Sequence, residues 1–384
     1  MATNSQTMTS SALQRPRTRD DSRRQRLSWF SRPAGWVGLV DLVLIAVFSI
    51  ASTNHVFFSV ANFTNMALDS SQTVLLAVGV AMLLSAGEID ISLGANIVLS
   101  SVLGAKATVA VAGAASTALT PTYPHLALGL AVGVLVAVAT GTTFGLVNGL
   151  LVTRLRINSF ISTLATLGIG AGIALVVTKG SNVAGIPIQM QSGFGVYKVF
   201  GFLPAPALVT AVIAAVIWFV LVKTRYGLRS LALGSSREAA VRAGLKTRGH
   251  LISLFCVAGA ASGIAGVMDY SRFGTTNVGG HETAALAAIA GVVIGGGALF
   301  GGRVSIPGAV LGALLAVILE TGLVILGLDP FYQQIAIGVV LLFAVYLRSR
   351  GDAVAGDDHR PRRRLRLGTV TNSPERDHPT KENQ

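Results

Sequence analysis

The groups best suited to ligate a metal or attack a substrate are six histidines, one cysteine and 17 carboxylates. The histidines, at positions 55, 125, 250, 281, 359 and 378, form no HExxH and no pair at metal-ligand spacing within one helix. No lysine follows a glycine, so there is no G-K-[ST] phosphate loop, and no GxSxG nucleophile elbow is present. Catalysis has nothing to stand on here, and neither metal nor other cofactor is called for. What remains is charge in unusual places. Glu88 and Asp90 sit in a glycine-bounded turn between apolar runs, where they suit the capping of a restarted helix. Asp41, Lys106 and Glu320 lie inside apolar runs, where burying charge in lipid is costly. Asp41 is placed to face the headgroups and Lys106 to snorkel outward. No series of intramembrane carboxylates suits a proton relay, which counts against an ion-driven carrier.

The remaining polar feature is the stretch 226–249, YGLRSLALGSSREAAVRAGLKTRG, a basic island between two long apolar runs. Ser236 as N-cap, Arg237 to Ala243 as body and Gly244 as stop describe a short helix. Two readings fit it: a helix that meets something outside the bilayer, or a plain cytoplasmic loop held inside by its cations.

The elements that must position these residues are membrane helices. Hydrophobic residues make up 52% of the chain and charged ones 12%, against roughly 25% charge in soluble domains. Mean hydropathy is +0.65. The fold class is therefore all-α, a polytopic membrane protein. Apolar stretches of spanning length predict about ten transmembrane helices, at 36–53, 71–87, 91–113, 125–152, 159–178, 206–223, 250–270, 285–302, 304–327 and 331–347. Flanking them are two basic tails, 1–33 and 348–384, read as disordered and cytoplasmic, around a transmembrane domain over 34–347. The net charge of +13 sits in tails and loops, which suits topology and anionic membrane lipid and not nucleic acid. Alternate connections divide sharply: one set holds most Lys and Arg, while the other holds Lys179, Lys198 and Arg272, so both termini are predicted to be cytoplasmic. The long connection 179–206, with its Gly and Pro, reads as an ordered outer cap. Glycines four apart, such as 141, 145 and 149, predict close helix packing. The single Cys256 excludes an intrachain disulfide. Two turns, 87–95 and 301–309, are weakly alike, each a helix that breaks at glycine and restarts, a pattern that points to a transporter's working region.

Four motifs then carry a resemblance. Glu88-Ile89-Asp90-Ile91-Ser92-Leu93-Gly94 resembles the G-I-D-L-S-V-G turn of permease subunits of bacterial sugar ABC importers, the ribose, xylose and autoinducer-2 group. Phe160 to Thr166 resembles their P-F-I-x-T-L-x-T segment, with Ser159 in place of the usual Pro. Tyr226 through Gly244, with Glu238-Ala239-Ala240, resembles their coupling loop, taken as 225–249. Ala288-Ile289-Ala290 through Gly301-Gly302 resembles their late I-A-A-V-V-I-G-G and G-G stretch. The likeness spans about 36–347. It departs where the family usually carries an acid four positions before Ile289: here stands Ala285, with His281 and Glu282 a turn upstream. Either Glu282 takes over that role or the specificity differs.

The resemblance implies a multi-pass protein of the bacterial plasma (inner) membrane. It would import a small polar solute, most simply a monosaccharide such as a pentose, and would not itself be an enzyme. The implied partners are an ABC ATP-binding subunit, an extracytoplasmic solute-binding protein and a second permease subunit, identical or sister. Ser236, Glu238, Ala239, Ala240 and Gly244 would couple to the ATPase. Asp90, Asn96, Asn148, Thr163 and Glu282 are the candidate residues of the translocation path. A branched-chain amino-acid ABC permease and an ion-coupled secondary transporter are the alternatives.

Overall fold

The computed structural model describes residues 33–113 and 122–329, with Tyr332, Ile335, Gly338, Val339 and Leu342. The tenth expected span, both basic tails and the C-terminal arginine patch lie outside the described residues, apart from those five positions and Pro33, the last residue of the 1–33 segment. The regular structure among the described residues is helical, apart from a short hairpin pairing Lys198 with Pro204 and Val199 with Leu203. Among the described residues, eight helices are long and apolar enough to cross a membrane. They are α1 (Pro33–Ala51), α2 (Val60–Ser85), α3 (Leu93–Ala112), α4 (Leu126–Thr153), α5 (Ser159–Thr178), α6 (Ala205–Lys223), α9 (Thr247–Phe273) and α11 (Ile306–Ile325). Between them come α7 (Arg225–Ser235), α8 (Arg237–Arg242) and α10 (Ala284–Ile294).

Two elements differ from the hydropathy reading. Helix α2 begins at Val60, eleven residues before the expected start. Its first turns carry Asn62 and Thr64, which lower local hydropathy but are buried. Asn62 donates to the Phe57 carbonyl at 2.8 Å, and Ser59 caps the helix by accepting from Asn62 N at 3.2 Å. Helix α10 stops at Ile294, where Gly295-Gly296-Gly297 breaks it. Eleven residues rise only about 16 Å, half the hydrocarbon thickness. The expected eighth span is thus a half-length helix.

Helices α2, α3 and α9 are the most buried of the eight, and where α4 packs onto α3 and α9 glycine sets the spacing. A Cβ on Gly145 would lie 2.1 Å from the Phe255 carbonyl oxygen, and one on Gly141 2.4 Å from that of Gly259. Bare backbone therefore meets bare backbone along α4 and α9, as the four-residue ladders predict. Helices α3 and α9 rise together: the Ser262 hydroxyl donates to the Leu93 carbonyl at 2.6 Å, and the Ser101 hydroxyl to Asp269 Oδ2 at 3.0 Å. Since Ser262 lies about 16 Å short of the C-terminal end of α9, α3 starts well inside the bundle. The connection 179–206 is ordered and packed. Its Met190 and Ile186 are buried against Ala105, Val267 and Tyr270, and Gln191 donates to the Arg272 carbonyl at 2.7 Å. Asp41 does not face headgroups: it is buried in α1, and neither oxygen has a partner among the described residues.

Candidate functional site

The polar island folds as its sequence dictates. Ser236 caps α8, accepting from Ala239 N at 3.3 Å. At the other end Gly244 adopts φ +80°, and its N–H donates to the Val241 carbonyl while Leu245 N–H donates to that of Ala240. This paired closure needs a residue tolerant of positive φ, which glycine is. Ala240 alone turns into the protein, while Ser236, Glu238, Ala239 and Gly244 are exposed. The Glu238–Arg242 pair, 3.1 Å apart, lies on the exposed face. Helix α8 is thus a rigid knuckle, tethered by Ala240 and Leu245 and open along its remaining face.

Arg237, the first residue of α8, reaches back 149 positions to Glu88, with Nη1 3.2 Å from Oε1. The arginine side chain is 54% exposed and the glutamate 8%. Burial pushes the Glu88 carboxyl above its usual range, while the Ser159 hydroxyl and Arg237 pull it back down. Beside the pair opens a cavity of about 520 Å³ whose lining includes Arg156, Asn158, Ser159 and Arg248. Glu88 belongs to the break 86–92 between α2 and α3, and three backbones converge there. A Cβ on Gly234, in α7, would lie 2.3 Å from the Ser85 carbonyl oxygen and 2.5 Å from Gly302 N. One on Gly301 would lie 2.7 Å from the Gly87 Cα. The two weakly similar turns, 87–95 and 301–309, therefore meet, with the end of α7 wedged against both.

Three of the five path candidates come together at this break. Asp90 Oδ1 accepts from the Ser92 N–H at 2.9 Å and from the Ser92 hydroxyl, and Oδ2 accepts from Asn148 Nδ2 at 3.1 Å. Asn148 Nδ2 also donates to Ser92 Oγ at 2.8 Å, while its Oδ1 is buried without a partner among the described residues. Thr163 accepts from Ile91 N at 3.2 Å and donates to the Ser159 carbonyl at 2.7 Å. Side chains of α4 and α5 thereby hold the peptide that launches α3. Asn96 belongs to a separate network one turn along α3, donating to the Gly141 carbonyl at 3.2 Å and accepting from Ser100 at 3.1 Å. Glu282 lies apart, exposed on the connection before α10, while Ala285 is fully buried in the main core. Arg237, Ser92 and Asp269 are polar residues to which the sequence assigned no part in the site. Their partners lie from 2 to 168 positions away, and only the Asp90–Ser92 spacing carried a local signal.

Among the described residues no group of His, Cys, Asp and Glu could hold a metal. The arrangement suits mechanical work: an exposed knuckle, an ion pair and a helix break inside the bundle. Residues 62–345 match the family described as branched-chain amino acid transport system / permease component. The chain is 32% identical to the ribose import permease protein of Bacillus subtilis, over 83% of this chain and 92% of that one. It is 32% identical to the D-allose transport system permease protein of Escherichia coli K12, over 79% and 88%. With the galactose/methyl galactoside import permease protein of the same strain it shares 31%, over 82% and 94%. No solved structure matches the chain.

Proposed function

This chain belongs to the permease-component family of branched-chain amino acid transport systems, and from that membership we propose that it is the membrane-spanning subunit of an ATP-binding-cassette importer for a monosaccharide. The observation that carries the reading is the likeness, over about four-fifths of the chain, to permeases named for ribose, allose and galactose. ATP hydrolysis belongs to a separate subunit. The capped, exposed helix Arg237–Arg242 supports the coupling role: Ser236, Glu238, Ala239, Ala240 and Gly244 form or close the knuckle that an ATPase cleft receives. In this reading the ends of α2 and α7 lie on the cytoplasmic side with both termini, and the connection 179–206 lies outside, where a solute-binding protein docks. A second permease subunit, identical or sister, completes the path.

Closure of the ATPase pair then moves α8, the Arg237–Glu88 contact carries that motion to the break 86–92, and α3 tilts with it. Asp90, Asn148 and Thr163 serve this step by holding the break. The test is ATP-driven uptake of labelled D-ribose, D-allose and D-galactose into vesicles holding this chain with its cognate ATPase and binding protein, with L-leucine as the competing class. Uptake of one sugar that stops without ATP is expected. Leucine uptake alone, or sugar uptake that an ionophore abolishes while ATP is irrelevant, sinks the proposal.

A further inference from the structure

The connection between α9 and α10 carries a polar pair that the transport reading does not use. Asp269, on α9, is 1% exposed, and its Oδ1 lies 2.9 Å from His281 Nε2, while its Oδ2 accepts from the Ser101 hydroxyl. A carboxylate only accepts, so Nε2 carries the proton, and in the neutral ring Nδ1 is an acceptor. Nδ1 has no partner among the described residues, and the imidazole is 18% exposed. His281 stands after Gly279 and Gly280 yet itself takes φ +64°, a conformation that costs a non-glycine residue about 1–2 kcal/mol. A third glycine would avoid that cost. Strain kept at a non-glycine residue points to a use for its side chain.

Depth makes the use specific. A Cβ on Gly94 would lie 2.2 Å from the His281 carbonyl oxygen, so this connection dips to the level where α3 begins, far inside the bundle. Glu282 and Thr283 beside it are exposed. Irregular polar backbone at that depth cannot face hydrocarbon; it must line water or be covered by protein. Resting on the proposed function, we propose that Asp269 and His281 form a solute-recognition site on the translocation path. The pair takes an uncharged polyhydroxylated solute, one of whose hydroxyls donates to His281 Nδ1 while Asp269 fixes the ring.

The single native cysteine makes a direct test possible. In a Cys256→Ala background, His281→Cys is exposed to a membrane-impermeant methanethiosulfonate from the outer side, with Phe200→Cys at the hairpin tip as the accessible control. Labelling of position 281, slowed by the transported sugar among D-ribose, D-allose and D-galactose, is expected. In the complete transporter, Asp269→Asn and His281→Gln should lower uptake roughly tenfold to a hundredfold, by unequal factors for the three sugars, since each leaves one buried polar contact unmade. Labelling of the control but not of position 281 overturns the proposal. So does uptake of every sugar within about twofold of wild type in both variants, too small for a lost hydrogen bond. Failure of the wild-type chain to move any sugar sinks the transport reading instead, and labelling then still decides whether the pair faces water.

Discussion

Replacing Arg237 with alanine isolates the step by which force from α8 enters the bundle. The change breaks the 3.2 Å contact and leaves a carboxylate that is 8% exposed with the Ser159 hydroxyl as its remaining side-chain partner. A surface ion pair is worth about 0–1 kcal/mol, whereas stranding a buried charge costs about 3–5 kcal/mol. Arg237 is 54% exposed, so water screens one end, and about 1–2 kcal/mol is the expected loss. That is roughly a tenfold shift in the balance between two positions of the break. The assay is paired measurement of ATP hydrolysis and sugar uptake in proteoliposomes holding all subunits. Sugar moved per ATP should fall about tenfold while hydrolysis stays within about twofold, because α8 keeps its cap and its stop. The exchange Arg237→Glu with Glu88→Arg should restore most of the loss. The reasoning is refuted if Arg237→Ala leaves the ratio unchanged. It is equally refuted if the exchange performs as the product of its two single variants, since independent defects multiply.

Glu88 also predicts a pH dependence. Burial holds its carboxyl above the ordinary range, so the folded state keeps that proton to higher pH than the unfolded chain does. The group's contribution to stability is therefore fullest at low pH and declines as pH rises through the raised value, while the ion pair forms only above it. Sugar moved per ATP should fall as pH drops, sooner than an ordinary glutamate would dictate, and Glu88→Gln should remove that limb. Gly244→Asp meets nothing within 4 Å and incurs only the positive φ, about 1 kcal/mol, so membrane yield should persist while uptake is lost to a disturbed ATPase contact. Gly145→Leu drives a side chain into the Phe255 carbonyl and should cost about 1–3 kcal/mol or more, read as a lower melting temperature in detergent. Gly172→Leu, where nothing lies within 4 Å, should leave melting unchanged.

How much was legible follows from which forces are local. Long apolar runs determine membrane helices by themselves, because lipid leaves the backbone no alternative partner. The fifth run, 159–178, and the helix Ser159–Thr178 coincide. The knuckle was equally legible, since a cap accepts within three residues and a glycine stop acts through its own φ. The start of α2 was hidden because Asn62 and Thr64 look like loop until their partners are in place. The stop of α10 was hidden because a glycine-rich apolar run scores as span whether or not it continues as helix. Only the tertiary structure brought Arg237 to Glu88, set the two similar turns against Gly234, and aimed His281 at Asp269. Those contacts join residues that no periodicity relates, and a buried charge reveals its role only when the fold supplies the group that neutralises it.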